Sequence, residues 1–196
     1  VNSKQLMGHP EFFQEFCDSI VTFEGEEPLH RLLTALRNGS TLKDVPNLLF
    51  HEDGKIESNE ERVELRFEEM PPPTFDGLPM DLYLSPYPIL PVLQSRGCYW
   101  GKCTFCTHSF IYGHRYGKQR TEQMVDELES LAEKYKTKYF TFSDEAVSPH
   151  SLNDVSEEII KRDVDIKSLA LLKFEKVMDQ ELFEKMKQAG FIFLMY

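Results

Sequence analysis

The chain has 196 residues, 41% of them hydrophobic, and carries a formal net charge of -11. That length suffices for one packed domain, or for one domain and part of another, and an acidic surface repels phosphate backbones, so no nucleic-acid partner is expected. No apolar run is long enough to span a bilayer and there is no signal-peptide pattern, so no membrane partner is expected either.

In chain order, residues 10–17 predict one or two helical turns, and residues 18–23, with Ile20, Val21 and Phe23, a short strand. Leu29, Leu32, Leu33 and Leu36 recur at helical spacing and predict an amphipathic helix ending near Asn38 and Gly39. Apolar residues at 48–50 and at Ile56 flank Glu52, Asp53 and Gly54, and Asp-Gly between short apolar runs predicts a hairpin. Seven of the eleven prolines then fall between Pro71 and Pro91. Such a density resists both helix and central strand, so residues 71–88 are expected to form an extended linker packed on a surface.

From residue 89 the pattern alternates. Residues 89–94 predict a strand, and residues 96–120 a long loop rich in cysteine, glycine and aromatic side chains. Thr121 is placed to cap a helix whose apolar positions are Met124, Val125, Leu128, Leu131, Ala132 and Tyr135. Residues 139–142 predict a second strand, closed by Ser143, Asp144 and Glu145. Leu152, Val155, Ile159 and Ile160 mark a second helix, with Ser151 or Asn153 near its start. Residues 166–172 predict a third strand, Asp179 starts a third helix that Gly190 ends, and residues 191–195 predict a fourth strand. Alternating strands and helices imply a parallel sheet, and apolar strands imply burial on both its faces. In such folds the functional loops follow strand C-termini.

One such loop holds Cys98, Tyr99, Trp100, Gly101, Lys102, Cys103, Thr104, Phe105 and Cys106 in succession. Three thiolates within nine residues reach one metal centre when a glycine-bearing loop folds back on itself. So tight a cluster is not a disulfide framework and points to a reducing, cytoplasmic compartment. Four thiolates close a cluster or a zinc site. Three on a cubane [4Fe-4S] leave one iron open to a chelating small molecule. Two other readings stay open. Cys98, Cys103 and Cys106 with His108 make a Cys3His zinc set, as in a binding module without chemistry. An iron–sulfur electron carrier needs a fourth thiolate, which falls to Cys17. Otherwise Cys17 reads as a small buried hydrophobe, and Trp100 as packing or a shield against water.

The string resembles the signature of radical S-adenosylmethionine (SAM) enzymes. In that family three cysteines after the first barrel strand bind a [4Fe-4S] cluster, and the amine and carboxylate of SAM bind the fourth iron. The resemblance implies that Cys98, Cys103 and Cys106 are metal ligands and that Phe105 lies beside the adenine. The spacing departs from the common one: four residues, not three, separate the first two cysteines, a longer gap found in cobalamin-dependent members. Arg120 and Thr121 are similar to an Arg-Ser/Thr step of that subfamily. Many members place an acid near the SAM amino group after the second strand, which implies Asp144 or Glu145; the alternative is an acidic helix start on a surface loop. Lys173, after the third strand, is either a substrate or SAM-carboxylate contact or a solvated strand-end lysine.

Residues 1–70 resemble the final quarter of a cobalamin-binding domain, although the Asp-x-His-x-x-Gly motif of such domains is absent. The fold implied is α/β. A C-terminal remainder of a Rossmann-like cobalamin-binding domain (1–70) is followed by a linker (71–88) and the first half of a (β/α) radical SAM barrel (89–196). The activity implied is reductive cleavage of SAM to a 5'-deoxyadenosyl radical. Cobalamin-dependent methyl transfer or related carbon-centred radical chemistry on a small-molecule or peptide substrate would follow, with electrons from a flavodoxin- or ferredoxin-type donor. A chain covering parts of two domains is expected to hold a cluster without turning over by itself.

Overall fold

The computed structural model describes residues 8–62, 70–108 and 115–195, and the chain divides into two compact units, 1–64 and 65–196.

In the first unit a short helix α1 (Pro10–Glu15) leads into strand β1 (Ser19–Val21), helix α2 (Glu26–Asn38) and strands β2 (Leu48–Glu52) and β3 (Lys55–Ser58). The sheet order is β1-β2-β3 and both pairings are antiparallel. The β2–β3 hairpin turns on Asp53 and Gly54, both at positive φ (50° and 79°), as its two-residue turn requires. Helix α2 ends at Gly39 in the left-handed conformation. Of the four leucines that predict α2, only Leu32 is buried; with Ala35 it meets Val45, Leu48 and Phe50. Leu29, Leu33 and Leu36 are exposed. The described residues of this unit thus form a small antiparallel sheet and its helices, with the hairpin where the sequence predicts it. A two-residue turn joins only antiparallel neighbours, because a parallel crossover needs a dozen or so residues.

The second unit opens with the Pro-rich segment, which is held on the unit's own surface. Phe75 and Met80 pack against its core, and the Phe75 N–H donates to the Tyr135 hydroxyl at 2.7 Å. Strand β4 (Ile89–Val92) follows, then a small antiparallel ribbon of β5 (Ser95–Arg96) and β6 (Gly117–Lys118). Helix α3 (Thr121–Tyr135), β7 (Tyr139–Val147), helix α4 (Pro149–Arg162), β8 (Lys167–Leu172), helix α5 (Gln180–Gln188) and β9 (Phe191–Met195) complete the unit. The sheet order is β4-β7-β8-β9, with every neighbouring pair parallel. Among the described residues strand β4 has one sheet neighbour, an edge position that accommodates Pro91. The order follows the chain with no reversal. Doubly wound sheets reverse at a switch point and (β/α) barrels do not.

Leu90, Val92, Phe140, Phe142, Ala170 and Leu172 alternate along the strands onto one face of the sheet. There they meet Met124, Val125, Leu128 and Leu131 of α3, Leu152, Val155 and Ile159 of α4, and Leu182 and Met186 of α5. Burial on both faces is therefore realised on one face only among the described residues, because all three helices pack on that side. On β8 the intervening Leu169 and Leu171 are half-buried, and Ile192 and Phe193 of β9 are exposed.

One helix start differs from expectation. Arg120, in extended conformation, holds the cap position of α3, and Thr121 is already its first helical residue. Helix α4 has Ser151 in its first turn, as expected, and is capped by Ser148, whose Oγ accepts the Ser151 N–H at 3.2 Å. Ser148→Ala is expected to cost about 1 kcal/mol, read as a fall of a few degrees in a thermal melt. Asp179 caps α5 as expected, accepting the Leu182 N–H at 2.9 Å. Gly190 then passes so close to the Ile166 carbonyl that a Cβ would sit 2.1 Å from its oxygen, which restricts that position to glycine. Among the described residues no helix is long and apolar enough to cross a membrane.

Candidate functional site

The cysteine loop leaves the C-terminal end of β4 and is tied at its root. The Gln119 N–H donates to the Gln94 carbonyl at 2.9 Å, and the Gln94 side-chain amide donates to the Gln119 carbonyl at 3.2 Å. The Gln119 side-chain amide donates in turn to the Leu93 carbonyl (2.8 Å) and to the Glu127 carboxylate on α3 (3.3 Å). Burial holds the Glu127 carboxyl above its ordinary range, against the pull of Gln119. The β5–β6 ribbon extends this closure.

The strand predicted over residues 139–142 runs on to Val147. Phe142 pairs with Ala170 and Val147 with Leu172, so residues 143–146 stand opposite Leu171 alone and bulge from the sheet. This bulge sends its two acids to different places. Asp144, 3% exposed, accepts the Ser95 hydroxyl at 2.5 Å and the Gln94 N–H at 3.1 Å. Burial pushes its carboxyl up to about 6, opposed by the bonds from Ser95 and Gln94. Glu145 is half-buried, with Oε1 3.6 Å from Nδ1 of His108 on the cysteine loop. That separation is too long for a hydrogen bond.

Cys98, Cys103 and Cys106 are free thiols, the first and last half-buried and Cys103 exposed. Gly101, at φ 58°, turns the chain between them, and the Cys106 N–H donates to the Cys103 carbonyl at 3.3 Å. Phe105 is 88% exposed. Among the described residues no three His, Cys, Asp or Glu side chains are already gathered as a metal cage. Neither the Cys3His set nor the three-thiolate set is preformed. The donor set nonetheless suits an iron–sulfur cluster: all sulfur, free of disulfides, and carried on one loop at the end of a parallel strand. Cys17 is a half-buried free thiol of the first unit.

Two further residues carry geometry that spacing alone does not reveal. The Tyr99 hydroxyl donates to Glu175 Oε1 at 2.7 Å, and burial, then this bond, push its phenol far above the ordinary range. The Trp100 ring centroid lies 3.9 Å from Lys173 Nζ and 5.1 Å from Lys102 Nζ. Lys173 Nζ is 3.7 Å from Glu175 Oε1. The strand-end lysine is therefore engaged with Trp100 and Glu175. The signal available beforehand was an aromatic pair inside the cysteine gap and a Lys-x-Glu step after β8. Tyr99, Tyr116, Ser148, Pro149, Glu175 and Asp179 help to line a cleft of about 720 Å³ at the starts of α4 and α5.

No family model matches the chain. It is 30% identical over 188 residues to an uncharacterized methyltransferase of Pyrococcus horikoshii, covering 92% of this chain and 40% of that protein. It is 24% identical over 200 residues to an anaerobic magnesium-protoporphyrin IX monomethyl ester cyclase of Rubrivivax gelatinosus, covering 94% of this chain and 35% of that protein. Among solved structures it resembles the radical SAM methyltransferase TsrM of Kitasatospora setae with tryptophan substrate and a SAM analogue bound. There the TM-score is 0.73 and the identity 20%, over 94% of this chain and 38% of that one. It also resembles the cobalamin-dependent SAM radical enzyme OxsB with aqua-cobalamin and SAM bound, at a TM-score of 0.68 and 21% identity over 94% and 28%. The fold is that of cobalamin-dependent radical SAM enzymes. The radical SAM resemblance carried by the cysteine string is thereby borne out, and in each of these likenesses the chain spans less than half of the other protein.

Proposed function

We propose that the chain is the cluster-holding part of a radical SAM enzyme and that the whole protein is a cobalamin-dependent methyltransferase. The observation that carries this reading is the loop of three free thiols at the C-terminal end of the first parallel strand, in a fold shared with enzymes of that kind. Cys98, Cys103 and Cys106 hold a [4Fe-4S] cluster in this reading. Bound there, the cluster supplies the electron for reductive cleavage of SAM and offers its open iron to the amine and carboxylate.

This chain's residues divide the remaining tasks. Asp144 is committed to Gln94 and Ser95 and steadies the root of the loop. Glu145, on the same bulge but turned toward His108, is the acid left to accept the SAM amino group. Phe105, with its ring uncovered, is available to lie against the adenine. The four strands in chain order, with one face of the sheet left half-buried, support a partial (β/α) barrel completed by other parts of the whole protein. Because the likenesses extend over more than nine-tenths of the chain, the first unit is assigned to the cobalamin-binding portion. The substrate is a small molecule, the electron donor is of flavodoxin or ferredoxin type, and the compartment is the reducing cytoplasm.

The test is anaerobic reconstitution with iron and sulfide, followed by EPR of the reduced protein with and without SAM. A reduced [4Fe-4S] signal that changes shape on adding SAM is expected. A colourless protein with stoichiometric zinc overturns the proposal.

A further inference from the structure

We infer that Tyr99 and Trp100 are positioning residues that dock the first half of the cysteine loop onto the end of β8, fixing Cys98 in place before the metal centre is built; this rests on the cluster reading above. The Tyr99 hydroxyl reaches Glu175 at 2.7 Å, a bond to an ionised acceptor and so stronger than a neutral one. Beside it the Trp100 ring is held by Lys173 at 3.9 Å, within cation–π range, and Lys173 in turn faces Glu175 at 3.7 Å. Two consecutive loop residues thus grip two residues of one strand end, and the four groups form a single linked contact.

Past that contact the loop changes character. Trp100 is itself 37% exposed, and beyond it Gly101 takes a positive φ of 58° and Lys102, Cys103, Thr104 and Phe105 are all exposed, Phe105 at 88%. The loop therefore has an anchored half carrying Cys98 and an open half carrying Cys103. That division gives the four-residue gap between the first two cysteines a physical use. Tyr99 and Trp100 are spent on anchoring, and Gly101 and Lys102 turn the chain back so that Cys103 and Cys106 close on a donor already in place. Pre-setting one ligand lowers the ordering cost of assembling the other two.

Trp100 is the single tryptophan of the chain, so its fluorescence reports on this contact alone. The experiment compares the metal-free full chain with Tyr99→Phe and Glu175→Gln by acrylamide quenching of Trp100, alongside thermal melts, and then follows anaerobic cluster assembly from iron and sulfide. Tyr99→Phe removes a hydrogen bond to a charged group, which shifts a docking equilibrium by about tenfold or more, whereas Glu175→Gln keeps an acceptor for the Tyr99 hydroxyl and loses only its charge and its pull on Lys173, a smaller shift in the same direction. Quenching is therefore expected to rise and the emission to move to longer wavelength in both variants, with melting little changed. Cluster assembly is expected to slow in the same two variants, with a broadened EPR signal. Unchanged quenching in both variants overturns the docking. Increased quenching with assembly as fast as in the parent protein overturns the positioning role. A parent protein that takes up no cluster overturns the site reading itself, a failure visible before any variant is compared.

Discussion

Replacing Cys98, Cys103 or Cys106 by alanine, one at a time, is expected to abolish retention of a cluster, whereas Cys17→Ser retains it in full. A cubane with three protein thiolates has no spare ligand, so each loss leaves two irons unheld by the protein. Bound iron and labile sulfide are expected to fall from about four per chain to near background, together with the brown charge-transfer absorbance. The fold itself is expected to be indifferent. Cys103 is exposed, Cys98 and Cys106 are half-buried, and none belongs to the apolar core, so stability changes stay within about 0.5 kcal/mol. The same set separates the rival readings. An electron carrier with Cys17 as fourth ligand loses its cluster in Cys17→Ser, and a Cys3His zinc site loses its metal in His108→Ala. The proposed site survives both changes. A cysteine variant that keeps a full complement of iron and sulfide refutes the assignment.

What was legible in the sequence depended on whether the cause was local. The helices of the second unit were plain because Met124, Val125, Leu128 and Leu131, or Leu152, Val155 and Ile159, repeat at helical spacing and face one core. The Asp53-Gly54 hairpin was plain because its turn chemistry is carried by the two residues themselves. Periodicity placed α2 but did not say which of its leucines meet a core, since that depends on what packs there. The continuation of β7 was hidden by its polarity. Ser143, Asp144 and Glu145 look like a strand end, and Asp144 is buried where Gln94 and Ser95, 50 and 49 residues away, supply its donors. The candidate site followed the same rule. Three cysteines in nine residues announce themselves, while the Tyr99–Glu175 bond spans 76 positions and leaves no local mark.

Asp144→Asn is expected to flatten a pH dependence of stability that the parent protein carries at the root of the loop. Burial pushes the Asp144 carboxyl from its ordinary value of 3.8 up to about 6 in the folded protein. Between those values the folded state holds a proton that the unfolded state has lost, so rising pH favours unfolding. The contribution is complete below about 4, declines toward 6 and is gone above it, and over about two pK units it amounts to on the order of 3 kcal/mol. Roughly half of that is recovered between pH 8 and pH 5. An amide at this position still accepts the Gln94 N–H and donates to the Ser95 oxygen, so Asp144→Asn keeps the tie between β4 and the β7 bulge without the buried charge. Asp144→Ala instead leaves the Gln94 N–H and the Ser95 hydroxyl buried without acceptors, at about 1–3 kcal/mol each. Urea denaturation from pH 5 to pH 8 checks both. The Asn variant is expected to gain on the parent as pH rises, and the deficit of the Ala variant to be widest at pH 5. Glu127, whose carboxyl is also raised, contributes the same slope to all three proteins and cancels in the differences. A parent-minus-Asn difference that is level across this range means that Asp144 ionises as if solvated. The buried tie between the bulge and the loop root would then not exist in solution.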